Sequence, residues 1–129
     1  MNSPHFSQRS AAEARGRGGE TLAAWALRFK GYRILCRRLK TPLGEIDMVA
    51  QRLFGPVCFI EVKARPGEGA ALLSVSPAQR TRIMRAANLY LAGRPDLARR
   101  GARFDIIAVA SGRWPRHHAD AWRPDDMGN

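Results

Sequence analysis

The stretch GEIDMVAQRLFGPVCFIEVKA, residues 44–64, contains the signature of a β-hairpin. Two apolar segments, Gly44–Ala50 and Val57–Ala64, flank a short connection that includes Phe54-Gly55-Pro56. Such a connection between two strand-like runs predicts an antiparallel pair. Apolar residues occupy both faces of each predicted strand, so we expect the sheet to be covered on both sides.

The remaining elements extend outward from this hairpin. Apolar spacing and punctuation residues predict, in chain order, a helix at Gly19–Lys30, a strand at Tyr32–Arg37, a turn at Lys40–Leu43, a loop at Arg65–Val75, a helix from Ser76 to Ala92, a helical turn at Pro95–Arg100 and a strand at Arg103–Ala110. The order α-β-β-β-α-β predicts an α/β fold with a central mixed β-sheet flanked by helices.

A chain of 129 residues fits one domain. We expect a disordered basic tail at 1–18, a folded domain at 19–112 and a partly ordered C-terminal tail at 113–129, with a short ordered piece at His118–Trp122. The sequence has no run of 18 apolar residues and no apolar export signal, which favours a cytoplasmic protein without a membrane span. The spacing of Cys36 and Cys58 favours buried, reduced thiols over a metal or redox pair.

The net charge is +11, from 22 Lys and Arg against 11 Asp and Glu. This excess favours an anionic partner, either nucleic acid or a membrane surface. The predicted helices lack a large cationic face with aromatic anchors, which argues against the membrane. Only Lys30, Lys40 and Lys63 are lysines, so a lysine within an apolar strand indicates a chemical role for Lys63.

Acidic residues interrupt both apolar strands of the hairpin. Glu45 and Asp47 are two residues apart and therefore share a face, as do Glu61 and Lys63. Pairing Arg52 with Pro56 around a three-residue loop would place Asp47 directly opposite Glu61. Two facing carboxylates repel each other unless a cation lies between them.

Oxygen ligands of this kind suit Mg²⁺ or Mn²⁺. We expect Asp47 and Glu61 to bind the ion, which would polarise a phosphate and activate a water molecule. Lys63 would orient that water or stabilise the developing charge. Glu20, on the preceding helix, could reach the same ion directly or through water.

Five segments of the sequence resemble a known family, the YraN-like family, also called uncharacterised protein family 0102. They are Gly19-Glu20 with the following Ala-rich helix, Gly31–Leu35, Gly44–Asp47, Phe59–Arg65 and Arg103–Ile107. The family is similar to Holliday-junction resolvases and to PD-(D/E)xK nucleases of restriction-endonuclease-like fold. The resemblance implies that fold, with an αβββαβ core.

The resemblance also implies roles for individual residues. Asp47, Glu61 and Lys63 would form the catalytic core, with Glu20 as the helix-borne acid and Gln79 as a further catalytic residue on the next helix. Resolvase-like relatives act as dimers, which implies a homodimer. The chain departs from the family pattern at Arg38-Leu39-Lys40, where an Asn-aromatic-Arg stretch is common, and at Gln79, where Lys is common.

Each of these residues also has a structural interpretation. Asp47, Glu61 and Lys63 could form a salt bridge between strands, and Glu20 could stabilise a helix dipole. Gln79 could complete a capping box with Ser76. The basic residues after the hairpin could be a solvated surface or could contact phosphates; these are Arg65, Arg80, Arg82 and Arg85. Asp105 is expected to pair with an arginine, and His117-His118 lacks further metal ligands.

Two functions follow from these observations. The first is a metal-dependent endonuclease that hydrolyses DNA, including branched or structured DNA. The alternative is a non-catalytic nucleic-acid-binding protein that keeps the nuclease fold and uses only its charge.

Overall fold

A computed structural model of the chain describes residues 18–64 and 75–127. Its elements are α1 (18–29), β1 (Arg33–Thr41), β2 (Gly44–Gln51), β3 (Val57–Lys63), α2 (Pro77–Ala92), α3 (Pro95–Ala98), β4 (Ala102–Ala108), β5 (Arg116–Trp122) and a final 3₁₀ turn (Pro124–Met127). The predicted N-terminal tail, apart from Gly18, lies outside the described residues. So does Arg65, one of the predicted nucleic-acid contacts.

The described strands form one open sheet in the order β1-β2-β3-β4-β5. All neighbours are antiparallel except β3 and β4, which run parallel and are connected through α2 and α3. Helices flank this mixed sheet, which confirms the predicted α/β class and its αβββαβ core. Among residues 18–64 and 75–127, no helix has the length and apolarity needed to cross a membrane.

The β2–β3 hairpin has the predicted register. Gln51 pairs with Val57 and Met48 pairs with Ile60. These are the pairs expected if Arg52 lies opposite Pro56 around a three-residue loop. One step beyond the last of these pairs, the same register places Asp47 opposite Glu61. The alternation of the two strands therefore brings both acids to the open end of the hairpin, away from its loop.

Helices α1 and α2 cover opposite faces of the sheet. The core on one face includes the α2 residues Ile83, Ala86, Ala87 and Tyr90 together with Val49 and Phe59 of the sheet. The core on the other face includes the α1 residues Ala23, Ala24 and Leu27 together with Met48, Ile60 and Ile107. The buried central strands are apolar on both faces because each face packs against a helix.

Two strands differ from the prediction. β1 continues to Thr41, so the turn that was expected at Lys40–Leu43 is confined to residues 42–43. The predicted short piece at the C-terminus is instead a full strand, β5, which pairs antiparallel with β4. The sequence of β5 is largely polar, RHHADAW, and therefore lacks the apolar alternation that identifies a strand.

Gly44 of β2 lies directly against the backbone of α2. A Cβ atom at this position would stand 3.0 Å from the backbone oxygen of Arg82. We expect Gly44→Ala to lower the free energy of unfolding by about 1–3 kcal/mol, because the helix backbone must shift to admit the methyl group. Urea denaturation measures this change. Gly93→Ala is the matched control, since nothing lies within 4 Å of a Cβ there, and an equal loss in both variants would contradict the explanation.

Candidate functional site

Asp47 and Glu61 meet at the open end of the hairpin. The Asp47 Oδ2 atom accepts a hydrogen bond of 2.8 Å from the backbone N–H of Val62, which fixes the carboxyl group between β2 and β3. Glu61 is 7% exposed, and its carboxyl group is hydrogen-bonded to that of Asp47. The sheet thus holds two acids side by side in a mostly buried position, as the sequence predicts.

Both carboxyl groups have a raised pKa. Burial, followed by the neighbouring Asp47, raises the pKa of Glu61 to about 8. Burial also raises the pKa of Asp47, while the Val62 N–H and the hydrogen bond from Glu61 oppose that rise. Glu61 therefore stays protonated at neutral pH, and its carboxyl group donates a hydrogen bond to the Asp47 carboxylate. Such a pair loses its proton when a cation replaces it.

The raised pKa of Glu61 predicts how stability depends on pH. Between pH 4.5, its unfolded pKa, and about pH 8, the folded chain keeps a proton that the unfolded chain has released. The free energy of unfolding of the metal-free protein should therefore fall as pH rises through this window. Urea denaturation from pH 5 to pH 8.5 measures it. Glu61→Gln should flatten the profile, and a variant profile as steep as that of the wild type would contradict the assignment.

Lys63 and Gln79 both contact Glu61. The Lys63 Nζ atom lies 3.7 Å from Glu61 Oε2, and the Gln79 side-chain amide donates a hydrogen bond of 2.6 Å to the same oxygen. Lys63 has a side chain only 19% exposed, so its charge faces the carboxylates more than the solvent. Helix α2 thus supplies one group that orients Glu61, and β3 supplies a cation beside it.

The capping-box interpretation of Gln79 needs correction. Ser76 does cap α2, because its Oγ atom accepts a hydrogen bond of 3.2 Å from the Gln79 backbone N–H. The Gln79 side chain, however, turns to Glu61 instead of back to Ser76. The Ser76 hydroxyl therefore caps the helix, whereas the Gln79 side-chain amide binds Glu61 in the acidic site.

Glu20 approaches the site from α1 but is held by an arginine. Its Oε2 atom accepts a hydrogen bond of 2.9 Å from Arg38 Nε, and its charge raises the pKa of Asp47. In the described part of the chain, no three His, Cys, Asp or Glu side chains are placed to hold one ion. Glu20 is therefore near the acidic pair without completing a three-residue ligand set.

Arg38 is a site residue that was not predicted from the sequence. It lies between Arg37, which pairs with Met48, and Leu39, which pairs with Ile46, and so stands opposite Asp47. Its φ of 55° is uncommon for a residue other than glycine. Arg38, Glu20, Asp47 and the exposed Glu45 line one small cleft. The only sequence signal was the departure from the family pattern at this position.

The three described arginines of α2 differ in their surroundings. Arg80 donates a hydrogen bond of 3.0 Å to the Val75 backbone oxygen, and its guanidinium carbon lies 5.5 Å from the centre of the Trp122 ring. Arg82 and Arg85 are exposed. Arg82 is three residues after Gln79 and so lies on the same side of the helix. Arg82 is therefore better placed than Arg80 to contact a phosphate at the acidic pair.

Comparison with known proteins identifies the family. Residues 19–109 match the model of the uncharacterised protein family UPF0102. The chain belongs to this family. The predicted membership of the YraN-like family is therefore confirmed, and the match covers α1, the four strands β1 to β4, and α2.

Several UPF0102 proteins match nearly the whole chain. The UPF0102 protein of Chelativorans sp. is 52% identical over 109 residues, which are 84% of this chain and 87% of that protein. The protein of Paramagnetospirillum magneticum is 49% identical over 130 residues, covering 97% of this chain and 100% of its own length. That of Parvibaculum lavamentivorans is 50% identical over 115 residues, covering 88% and 85%.

This UPF0102 protein contains a second buried acid, Asp105, away from the acidic pair. Arg103 donates two hydrogen bonds to its carboxylate, at 2.9 and 2.8 Å, which confirms the predicted Asp–Arg pairing. His117 Nε2 lies 2.7 Å from the same carboxylate, and the Asp120 backbone N–H donates to it at 2.9 Å. The sequence pattern around His117 does not indicate this role. Burial alone would raise the pKa of Asp105, but the hydrogen bonds from His117, Arg103 and Asp120 together outweigh it and hold that pKa below its usual value. The same contacts join β5 to β4.

Proposed function

We propose that this UPF0102 protein is a Mg²⁺- or Mn²⁺-dependent endonuclease that hydrolyses phosphodiester bonds in DNA, including branched or structured DNA. The observation that carries the proposal is the largely buried pair of Asp47 and Glu61 carboxyl groups, with the Lys63 ammonium 3.7 Å from the Glu61 carboxylate. A purely structural role does not explain this pair, because two adjacent, largely buried carboxylates destabilise the fold unless a proton or a cation lies between them.

The donor set fits a hard divalent ion. Mg²⁺ usually keeps several water molecules and binds proteins through one or two carboxylates. Asp47 and Glu61 would hold it, and Glu20 would act through a water molecule because Arg38 already occupies its carboxylate. When bound, the ion would polarise the phosphate and lower the pKa of a bound water molecule.

The protein's own residues would position and stabilise the reacting groups. The Gln79 amide keeps Glu61 in one orientation, and the Val62 N–H does the same for Asp47. Lys63, at the edge of the pair, would donate hydrogen bonds to the charge that develops on the phosphoryl oxygens. The exposed Arg82 would hold a neighbouring phosphate and keep the strand in register.

The alternative function is a non-catalytic nucleic-acid-binding protein. Its support is that each member of the site already has a protein partner: Lys63 and Gln79 contact Glu61, and Arg38 contacts Glu20. A structural network of this kind would need no metal. The +11 net charge serves either function.

A cleavage panel separates the two functions. Labelled single-stranded, duplex, flap and four-way-junction DNAs are incubated with the purified protein, with Mn²⁺, with Mg²⁺ or with EDTA. The proposal expects metal-dependent cleavage and the highest rate on a branched DNA. Asp47→Asn is the matched variant, because it keeps the size of the side chain and removes a ligand charge. Binding without cleavage under every condition would favour the alternative.

Binding to nucleic acid should depend steeply on salt. The exposed Arg82 and Arg85 and the +11 net charge predict that phosphate contacts dominate the affinity. Each neutralised phosphate releases counterions, so affinity falls as salt rises, with a log–log slope of about −0.9 per contact for duplex DNA. Fluorescence anisotropy at several salt concentrations measures the slope. An affinity that stays constant between low and high salt would contradict an electrostatic interface.

A further inference from the structure

Three aromatic rings form a continuous exposed patch on the outer side of α1. Trp25, Phe29 and Trp114 are 52%, 76% and 58% exposed. The centres of the Trp25 and Phe29 rings are 6.4 Å apart, and those of Phe29 and Trp114 are 5.8 Å apart. We call these three residues the aromatic platform. It is separate from the acidic pair and from the core.

The core does not need these rings. Helix α1 already buries Ala23, Ala24 and Leu27 against the sheet, and the platform lies on its opposite side. A cluster of large exposed apolar side chains is uncommon on a protein surface and usually marks a binding site. The platform therefore points to a ligand that aromatic rings recognise.

The surroundings of the platform are cationic. The two segments that carry it, residues 22–30 and 110–117, contain Arg28, Lys30, Arg113 and Arg116 and no acidic residue. The guanidinium carbon of Arg28 lies 5.2 Å from the centre of the Trp25 ring. Exposed rings among cations are the arrangement that binds single-stranded nucleic acid, because bases stack on the rings while cations contact the phosphates.

We propose that unpaired nucleotides of single-stranded nucleic acid stack on the aromatic platform. This inference rests on the proposed function in taking nucleic acid as the partner, but it does not require cleavage. Duplex DNA would bind the platform less well, because its bases are already stacked on each other. The platform would thus favour substrates that contain a single-stranded segment.

Other occupants fit less well. A second copy of the chain would bring two proteins of +11 net charge together through patches that each contain four cations. A lipid surface usually binds the whole apolar face of a helix, whereas the apolar face of α1 is buried in this protein.

The test is the affinity for a labelled oligodeoxythymidylate, measured by fluorescence anisotropy in EDTA. Trp25→Ala and Phe29→Ala should each weaken binding roughly 5-fold to 100-fold. Phe54→Ala is the matched control, because Phe54 is 77% exposed and Arg100 lies 5.5 Å from the centre of its ring. The control should bind like the wild type, and the affinity for a blunt duplex should change less than 2-fold in all three variants. Thermal melts verify that each variant folds.

Three results would overturn the inference. Platform variants that bind the oligonucleotide with wild-type affinity would do so, as would variants that lose no more affinity than Phe54→Ala. Loss of binding to anionic phosphatidylserine vesicles, or loss of a dimer in sedimentation, with unchanged oligonucleotide affinity, would assign the platform to lipid or to a second copy. Because EDTA prevents metal-dependent cleavage, a protein that never cleaves DNA could still pass this test, so failure of the proposed function is detected separately.

Discussion

Replacing Lys63 with methionine should abolish metal-dependent cleavage while leaving the fold and DNA binding largely intact. Methionine has a similar length and packs in an apolar strand, and the loss of one cation from 22 changes the overall field little. If Lys63 stabilises charge that develops in the transition state, the turnover rate should fall roughly 10²-fold or more while affinity is unchanged. Single-turnover cleavage and anisotropy on the same preparation measure both quantities.

Lys63→Arg is the companion variant for this experiment. It keeps the charge, but its wide planar head cannot occupy the place of a compact ammonium, so activity should recover poorly. If Lys63 serves only as the structural partner of Glu61, the result is different. Lys63→Met would then lower the melting temperature strongly and leave the folded fraction as active as the wild type, which would mean that the acidic pair is a salt-bridge network and not an active site.

Replacing Asp105 with asparagine should destabilise the protein by about 3–5 kcal/mol, the usual result of breaking a buried ion pair. Asp105 is fully buried, and the substitution would leave the Arg103 guanidinium without its counter-charge. The change also weakens the contact with His117 that holds β5. Chemical denaturation measures the loss, and proteolysis of the C-terminal segment should become faster.

The control for Asp105→Asn is the same substitution in an exposed pair. Asp96 pairs with Arg99 on the surface, with an Asp96 side chain 91% exposed. Exposed ion pairs contribute little to stability, so Asp96→Asn should leave the denaturation curve nearly unchanged. Similar losses in the two variants would show that burial does not determine the strength of the Asp105 pairing.

The hairpin and its acids could be predicted because strand geometry is periodic. A side-chain period of two, together with a three-residue loop, fixes which residues face each other, and Asp47 met Glu61 as a result. Helix α2 was predictable for a similar reason, since Ser76 and Pro77 mark its start and Gly93 its end.

The other features depend on contacts between distant parts of the chain. The left-handed conformation of Arg38 and its bond to Glu20 require β1 and α1 to be packed together first. The Gln79 side chain had two possible partners in the sequence, the Ser76 backbone N–H of a capping box and the Glu61 carboxyl group. Only the packing of α2 on β3 selects Glu61. β5 was missed as a strand because its pairing depends on a buried acid in β4, not on its own apolar pattern.

The position of β5 has a consequence for the solubility of the protein. β4 is apolar, with Phe104, Ile106 and Ile107 buried, and without β5 its backbone would be an open edge ready to pair with another chain. β5 instead presents a polar edge, and Asp120, with a φ of 56°, interrupts its regular geometry. Irregular polar edges resist strand addition. The C-terminal segment thus covers the apolar edge of β4 and opposes its pairing with another chain. A chain shortened to end at Gly112 would expose that edge and should aggregate more readily.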